Sequence, residues 1–181
     1  MLRSLKLFIY SMFLLLSFQA FADTNTVKHS MADWMLNESG FDIKPKVAYK
    51  IAGAITKHSR THNVDPFLVL SMIKRESGFR HTIKNRYGAV GLMQVVPRYH
   101  KEKIKGRSLT DIDTNIEVGV KILAEYLESN QGSLRKALVK YSGNARNYRE
   151  KLNKSYEKIK KHDVIYRFQN ELPIVQVAQL H

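Results

Sequence analysis

The sequence of 181 residues contains no cysteine. It therefore forms no disulfide, carries no thiol for a lipid anchor and lacks the thiolate ligands that are common in zinc sites. A His-Glu-x-x-His metal motif and a Gly-rich phosphate-binding loop are also missing. His58 and His62 lie four residues apart, but a metal site needs more ligands, so we interpret both as surface residues. The sequence predicts no metal, no cofactor, and a stability that depends on the packed core.

Acidic residues are scarce. There are 16 Asp and Glu residues against 30 Lys and Arg residues, which gives a formal net charge of +14. This charge favours a polyanionic partner such as nucleic acid, an anionic membrane or the acidic cell wall, although a solvated basic surface can also serve solubility alone. The same two interpretations apply to a basic run near the end of the chain, formed by Arg149, Lys151, Lys154, Lys158, Lys160 and Lys161.

Long apolar runs are confined to Leu7–Phe18, which is shorter than the ~20 residues of a membrane-spanning helix. Arg3 and Lys6 lie before or at the start of the run and Ala20-Phe21-Ala22 follows it, the layout of a secretory signal peptide over residues 1–22. The alternative is an uncleaved membrane anchor. We expect cleavage, export to the periplasm or cell envelope, and membrane contact only through the transient signal peptide. Export argues against nucleic acid as a partner.

Helical periodicity dominates the rest of the chain, which predicts a mostly α fold of one domain. Apolar spacing predicts a helix over residues 46–60. Asp65-Pro66 indicates the start of a second helix, which is apolar nearly all round and therefore buried. Thr114 and Glu117 form a capping-box pattern that predicts the start of a third.

The two ends of the chain have weaker patterns. Asp23–Lys44 is predicted to be exposed or loosely docked, with Trp34 packing on the main domain. Near the other end, an apolar stripe on a long basic helix comprises Tyr148, Leu152, Tyr156 and Ile159. Beyond Asp163 the pattern does not distinguish a helix from an extended segment with alternating apolar residues.

Glu76 is the strongest candidate for chemistry. Met72 and Ile73 lie four and three residues before it, and so share its face of the predicted helix. A carboxyl group at the end of an apolar stripe is partly desolvated, which raises its pKa toward the range that a general acid needs. The alternative for a lone Glu at a helix end is an ion pair with a Lys or Arg.

Four short motifs occur in the order known from one family. They are Glu76-Ser77 closing the helix within Asn63–Phe79, the run Gly88-Ala89-Val90-Gly91-Leu92-Met93-Gln94-Val95-Val96-Pro97, the group Asn115-Ile116, Gly119 and Tyr126-Leu127, and the partial match Lys140-Tyr141-Ser142-Gly143-Asn144. With these motifs, residues 60–150 resemble the soluble lytic transglycosylase (SLT) family, which implies a goose-type lysozyme-like fold. In the fourth motif the family's usual Asn is Ser142 here, or Asn144 replaces it.

The resemblance implies that the chain cuts the glycan strands of peptidoglycan. Glu76 would protonate the glycosidic oxygen between N-acetylmuramic acid and N-acetylglucosamine. As a base it would then deprotonate the muramoyl O6, which closes on C1 to give a 1,6-anhydro product. Most glycosidases use two carboxyl groups, but the matched motifs contain no second acid. The residues implied in substrate binding are Ser77, Gly91, Met93, Gln94 and Tyr141.

Three other functions stay open: a hydrolytic muramidase, a non-catalytic wall-binding component of a secretion or conjugation apparatus, and a basic nucleic-acid-binding protein. The intact Glu76 and the export signal argue against the last two. The implied partners are peptidoglycan glycan strands and, because the chain is small and exported, a cell-envelope transport machinery. The predicted division is a signal peptide (1–22), an N-terminal segment with the first helix (23–59), the catalytic domain (60–150), and a basic helix with a C-terminal tail (151–181).

Overall fold

A computed structural model describes residues 24–171. The predicted signal peptide lies outside this range, as do the last ten residues. Backbone pairing within the described range is confined to two isolated bridges, Lys84 to Val90 and Val90 to Val95, so the prediction of a mostly α fold is confirmed. None of the helices between residues 24 and 171 is both long and apolar enough to span a membrane. The helices are α1 (residues 24–37), α2 (Pro45–His62), α3 (Pro66–Ser77), α4 (Lys101–Ile104), α5 (Ile112–Ser129), α6 (Leu134–Tyr141) and α7 (Tyr148–Glu171).

The start of α3 follows the sequence prediction. The Asp65 carboxylate accepts hydrogen bonds from the backbone N–H groups of Phe67 at 2.8 Å and Leu68 at 3.4 Å, and Pro66 occupies the first turn. The helix is buried nearly all round and ends at Gly78, whose φ of 55° is left-handed. Glu76 therefore lies in the last turn of a helix held rigidly in the core.

The start of α5 differs from the predicted capping box. Asp111 is the N-cap, and its carboxylate accepts from the backbone N–H of Thr114 at 2.9 Å. Asp113 is left to face α2, where it lies 3.0 Å from Nε2 of His58. His58 is buried by this contact, so its interpretation as a surface residue is wrong. The periodicity of α2 alone did not show that α5 would cover this side of it.

Helix α1 corrects the prediction of an exposed or loosely docked N-terminal segment. Met31, Trp34 and Met35 have no or almost no exposed surface and belong to the main core. The helix is also joined to α7, because Nδ1 of His162 lies 2.7 Å from a carboxylate oxygen of Glu38, just beyond α1. The packing of Trp34 on the domain was predicted correctly, and the helix around it was missed.

Helix α7 packs its predicted stripe against α3. Leu152 and Ile159 are buried, and the Tyr156 hydroxyl donates to the carboxylate of Asp65 at 2.6 Å. The helix continues to Glu171, through the stretch whose pattern is ambiguous in sequence. Its first residue, Tyr148, is brought by this packing to the last turn of α3.

Candidate active site

A groove of about 650 Å³ opens beside the last turn of α3. It lies between this turn, the loops that follow it, one face of α5, and the junction of α6 with α7. We call it the main groove. Its lining residues are Arg75, Glu76, Asn85, Tyr87, Ala89, Gln94, Val95, Val96, Tyr99, His100, Ile122, Tyr126, Lys140, Tyr141, Ser142, Gly143, Ala145 and Tyr148.

Glu76 is the one acidic residue in the described lining of the main groove. Burial raises the pKa of its carboxyl group, while a hydrogen bond from Tyr148 and the nearby charge of Arg75 lower it, and burial prevails. The ion pair that is the ordinary alternative for such a Glu does not occur among residues 24–171, where the carboxylate has a phenol as its partner. A raised pKa is the direction that a general acid requires.

Tyr148 was not recognised as a site residue from the sequence. Its hydroxyl donates to Oε1 of Glu76 at 2.5 Å, across a separation of 72 residues. Burial and the charge of Glu76 both raise the pKa of Tyr148 far above its ordinary value, so the phenol stays a hydrogen-bond donor at all working pH values. Its place as the first residue of the apolar stripe on a basic helix is the one sequence signal for it.

Tyr141 and Gln94 line the main groove, as the resemblance implied, on opposite sides of one turn. The Tyr141 hydroxyl donates to the backbone carbonyl of Met93 at 2.9 Å, and its ring packs edge-on against Tyr126 at 6.3 Å. Gln94 has a φ of 49°, and its side-chain amide donates to the carbonyl of Gly91 at 3.0 Å, which fixes its orientation. Its amide oxygen forms no hydrogen bond with any residue between 24 and 171, so this oxygen can accept one from a ligand.

Three other predicted binding residues lie outside the lining. Ser77 is buried, and its hydroxyl donates to the carbonyl of Ile73 in its own helix at 3.0 Å. Met93 is fully buried, with its side chain against Gly119 of α5. Gly91 faces the side chain of Asn115. In this arrangement the three lie behind the residues that line the groove, and their part in substrate binding stays a prediction.

Asn115 organises that wall. Its side-chain oxygen accepts from the backbone N–H of Met93 at 2.8 Å, and its amide group donates to the carbonyls of Val90 at 2.9 Å and Leu109 at 2.8 Å. The side chain is completely buried and all of these groups are satisfied. One amide therefore connects α5 both to the turn at residues 90–93, beside the main groove, and to the segment at Leu109.

The close approach of Gly91 to the Asn115 amide leads to a prediction that compares substitutions at two glycines. Gly91 and Gly88 have φ angles of 77° and 84°, but only at Gly91 would a Cβ collide, with the Asn115 amide and the Leu109 carbonyl. Gly88→Ala is expected to lower the free energy of unfolding by ~1 kcal/mol from backbone strain alone, and Gly91→Ala by ~3 kcal/mol. Urea unfolding of both variants measures this difference. Equal losses would show that the contact is readily relieved.

The partial fourth motif gives Ser142, and not Asn144, a place in the lining. Ser142 follows Tyr141 directly and its hydroxyl is 3.3 Å from the carbonyl of Val139. Asn144 is exposed, with a φ of 64°, and does not belong to the lining. Of the two alternatives left open by the sequence, the structure favours a Ser in the position of the usual Asn.

A cluster at α2 and α5 has the residue types of a metal site. The ligand atoms of His58, Asp113 and Glu117 lie within 4.8 Å of one another. Both carboxylates are already in ion pairs, Asp113 with Lys57 at 3.1 Å and Glu117 with Arg107 at 2.7 Å. The charges of both carboxylates are thus already compensated, and the contacts of Asp113 with Lys57 and His58 join α5 to α2.

The comparison with known families identifies the chain. Residues 53–164, more than half of the sequence, match the family described as Transglycosylase SLT domain. The chain belongs to this family, so the family resemblance stated from its motifs is confirmed. The match begins inside α2 and ends in α7, and thus extends on both sides beyond the predicted boundaries at residues 60 and 150.

Two curated relatives carry the name membrane-bound lytic murein transglycosylase C. The protein from Mannheimia succiniciproducens is 34% identical over 108 residues, and that from Sodalis glossinidius is 32% identical over 99 residues. The matches cover 51% and 49% of this chain but only 30% and 28% of those proteins. A crystal structure of the 70 kDa soluble lytic transglycosylase from Escherichia coli is similar with 18% identity and a TM-score of 0.49, over 76% of this chain and 29% of that one.

Proposed function

We propose that this protein is a lytic transglycosylase that cleaves the β-1,4 bond between N-acetylmuramic acid and N-acetylglucosamine in peptidoglycan. The observation that carries the proposal is the single carboxyl group in the described lining of the main groove, Glu76, with its raised pKa. Family membership and the names of the relatives support the reaction class.

In the first step, protonated Glu76 donates its proton to the glycosidic oxygen. Tyr148 donates to Oε1, so the carboxyl proton is held on Oε2, and the acid presents one defined oxygen to the substrate. Bond cleavage leaves Glu76 ionised. The same phenol then stabilises the carboxylate, which limits the cost of charging a partly desolvated group.

In the second step, a single carboxyl group requires a nucleophile from the substrate. Glycosidases with two carboxyl groups use the second one as a nucleophile or as a base for water. No second acid lines the described groove, and this favours attack by the muramoyl O6 after Glu76 removes its proton. The ring closure gives a 1,6-anhydro product and returns Glu76 to its acidic form.

Sugar binding is assigned to groups that project into the main groove. The free oxygen of Gln94 suits the N–H of an acetamido group. Tyr87 and Tyr99 are 62% and 63% exposed, and each ring has an Arg guanidinium over it, at 4.8 Å and 4.7 Å. An aromatic ring that is held in place by a guanidinium group provides an apolar platform for a sugar ring.

We also propose that the protein is exported and acts in the cell envelope. This rests on the signal-peptide pattern of residues 1–22 and on the net charge of +14, which suits an acidic wall. A transport machinery of the cell envelope is proposed as a partner on the basis of the export pattern. Detection of the mature N-terminus in a periplasmic fraction tests the export.

The test of the reaction is the mass of the products released from purified peptidoglycan. A transglycosylase yields anhydro-muropeptides, whereas a hydrolytic muramidase yields products that are one water heavier. Exclusively hydrated products would replace the proposal with the muramidase. Binding to the wall without any product would favour the non-catalytic role.

Replacing Tyr148 by Phe is expected to shift the pH dependence of the reaction. The hydrogen bond lowers the pKa of Glu76, so its loss raises that pKa, and the protonated acid persists to higher pH. The alkaline limb of the kcat profile should therefore move to higher pH, and kcat should fall ~10-fold because the acid is less well oriented. Tyr126→Phe removes another phenol of the groove without touching Glu76 and should leave the limb in place. A limb that is unmoved in Tyr148→Phe would contradict this role.

A further inference from the structure

A second hollow of about 600 Å³ adjoins the main groove at the junction of α6 and α7. The two share four lining residues, namely Lys140, Ser142, Ala145 and Tyr148. Tyr148 lies in both walls and its hydroxyl contacts Glu76 at 2.5 Å. The hollow, which we call the side hollow, therefore begins one side chain away from the catalytic carboxyl group assigned above.

The side hollow is strongly basic. Arg135, Lys136 and Arg149 line it, are exposed, and form no ion pair within the described part of the chain. The one acid in the lining, Glu150, is paired with Lys154 at 3.2 Å. Charge of this density with no internal counter-ion attracts an anionic ligand.

The positions of these cations are unfavourable for the helices that carry them. Arg135 and Lys136 lie in the first turn of α6, which contains no acid, and Arg149 lies in the first turn of α7. Cations near a helix N-terminus oppose the helix dipole. The N-terminal end of α7 adds to the positive potential in the hollow, with Glu150 of its first turn offsetting part of it, whereas α6 borders the hollow with both of its ends.

We infer that the side hollow binds carboxylate groups of the stem peptide on the N-acetylmuramic acid next to the scissile bond. This rests on the proposed function, because that sugar carries its peptide as a branch from the glycan strand. Tyr148 lines both cavities and contacts Glu76, so the inference requires a strand with its scissile bond at Glu76 to direct this branch past Tyr148. The guanidinium groups of Arg135 and Arg149 match carboxylates with paired N–H donors.

The experiment compares glycan strands with intact stem peptides and strands whose peptide carboxylates have been converted to amides. Amidation keeps the size of the peptide and removes its negative charge. For each substrate, Kd is measured by anisotropy of labelled strands, and kcat/KM by mass spectrometry of the products. The proteins are the wild type, Arg135→Gln/Arg149→Gln, and the charge-matched control Lys46→Gln/Lys121→Gln, whose exposed residues line neither cavity.

The wild type is expected to bind and cut intact strands roughly 10-fold better than amidated ones, from one or two charge-assisted hydrogen bonds. The Arg135→Gln/Arg149→Gln variant should treat both substrates alike, and the control should keep the preference. Equal preference in the variant and the wild type would overturn the inference. Carboxylate-dependent binding without turnover would contradict the proposed reaction and still support the side hollow.

Discussion

Glu76→Gln is expected to lower kcat on peptidoglycan by ~10³-fold or more, because the amide cannot donate or accept the proton of either step. The change should not disturb the fold, since the amide oxygen can still accept from Tyr148. Because burial raises the pKa of Glu76, the ionised carboxylate is disfavoured in the folded protein. A neutral amide removes that penalty at neutral pH, so the melting temperature should be equal or higher.

The measurement is the initial rate of soluble product formation, quantified by mass spectrometry, together with a thermal melt of each protein. Glu128→Gln is the matched control, because it makes the same chemical change at an exposed position outside the main groove. It should retain the wild-type rate. A Glu76→Gln variant within tenfold of the wild type would remove Glu76 from the mechanism.

Asn115→Ala is expected to have the largest effect on stability. It leaves the buried N–H of Met93 and the carbonyl of Leu109 without a hydrogen-bond partner in the described part of the chain. The carbonyl of Val90 loses one of its two donors and keeps the N–H of Val95 at 3.1 Å. At ~1–3 kcal/mol for a buried unsatisfied group, with partial relaxation, the free energy of unfolding should fall by about 4 kcal/mol. For a domain of this size that corresponds to a fall in melting temperature of roughly 8–16 °C.

Urea unfolding of Asn115→Ala is to be compared with that of Asn130→Ala. The Asn130 amide also donates to a backbone carbonyl, that of Tyr126 at 2.7 Å, but it lies partly exposed at the end of α5. Water can replace its contact, so the control should lose no more than ~1 kcal/mol. Equal losses in the two variants would mean that Asn115 is not the connection between α5 and the groove loops.

Local signals in the sequence predicted much of the helical framework. Asp65 and Pro66 mark the start of α3 because an N-cap and a first-turn proline act within one turn of the chain. The same reasoning placed the start of α5 near Thr114, whereas Asp111 caps the helix, since two acceptable caps three residues apart cannot be ranked from sequence. Helix α1 was missed although Met31, Trp34 and Met35 have helical spacing.

The motifs located the site region but did not distinguish groove from core within it. In the second motif, Gln94 projects into the groove, while Met93 beside it packs on Gly119. Both belong to one irregular turn, where periodicity does not define a face. Asn115, from another helix, holds the backbone of this turn at Met93 and Val90, and Gln94 is oriented by its own hydrogen bond to the Gly91 carbonyl.

By itself, the sequence determined a mostly helical domain, the family through its ordered motifs, and a carboxyl group at the end of an apolar helix. These depend on spacing and capping along the chain, where neighbours in sequence are neighbours in space. Only the tertiary structure decided that Tyr148 meets Glu76, that Ser77 turns inward, and that a basic hollow adjoins the groove. The first depends on how α7 packs on α3, a contact between residues 72 positions apart, and the other two on which elements surround the end of α3 and the junction of α6 with α7. No local pattern specifies such contacts.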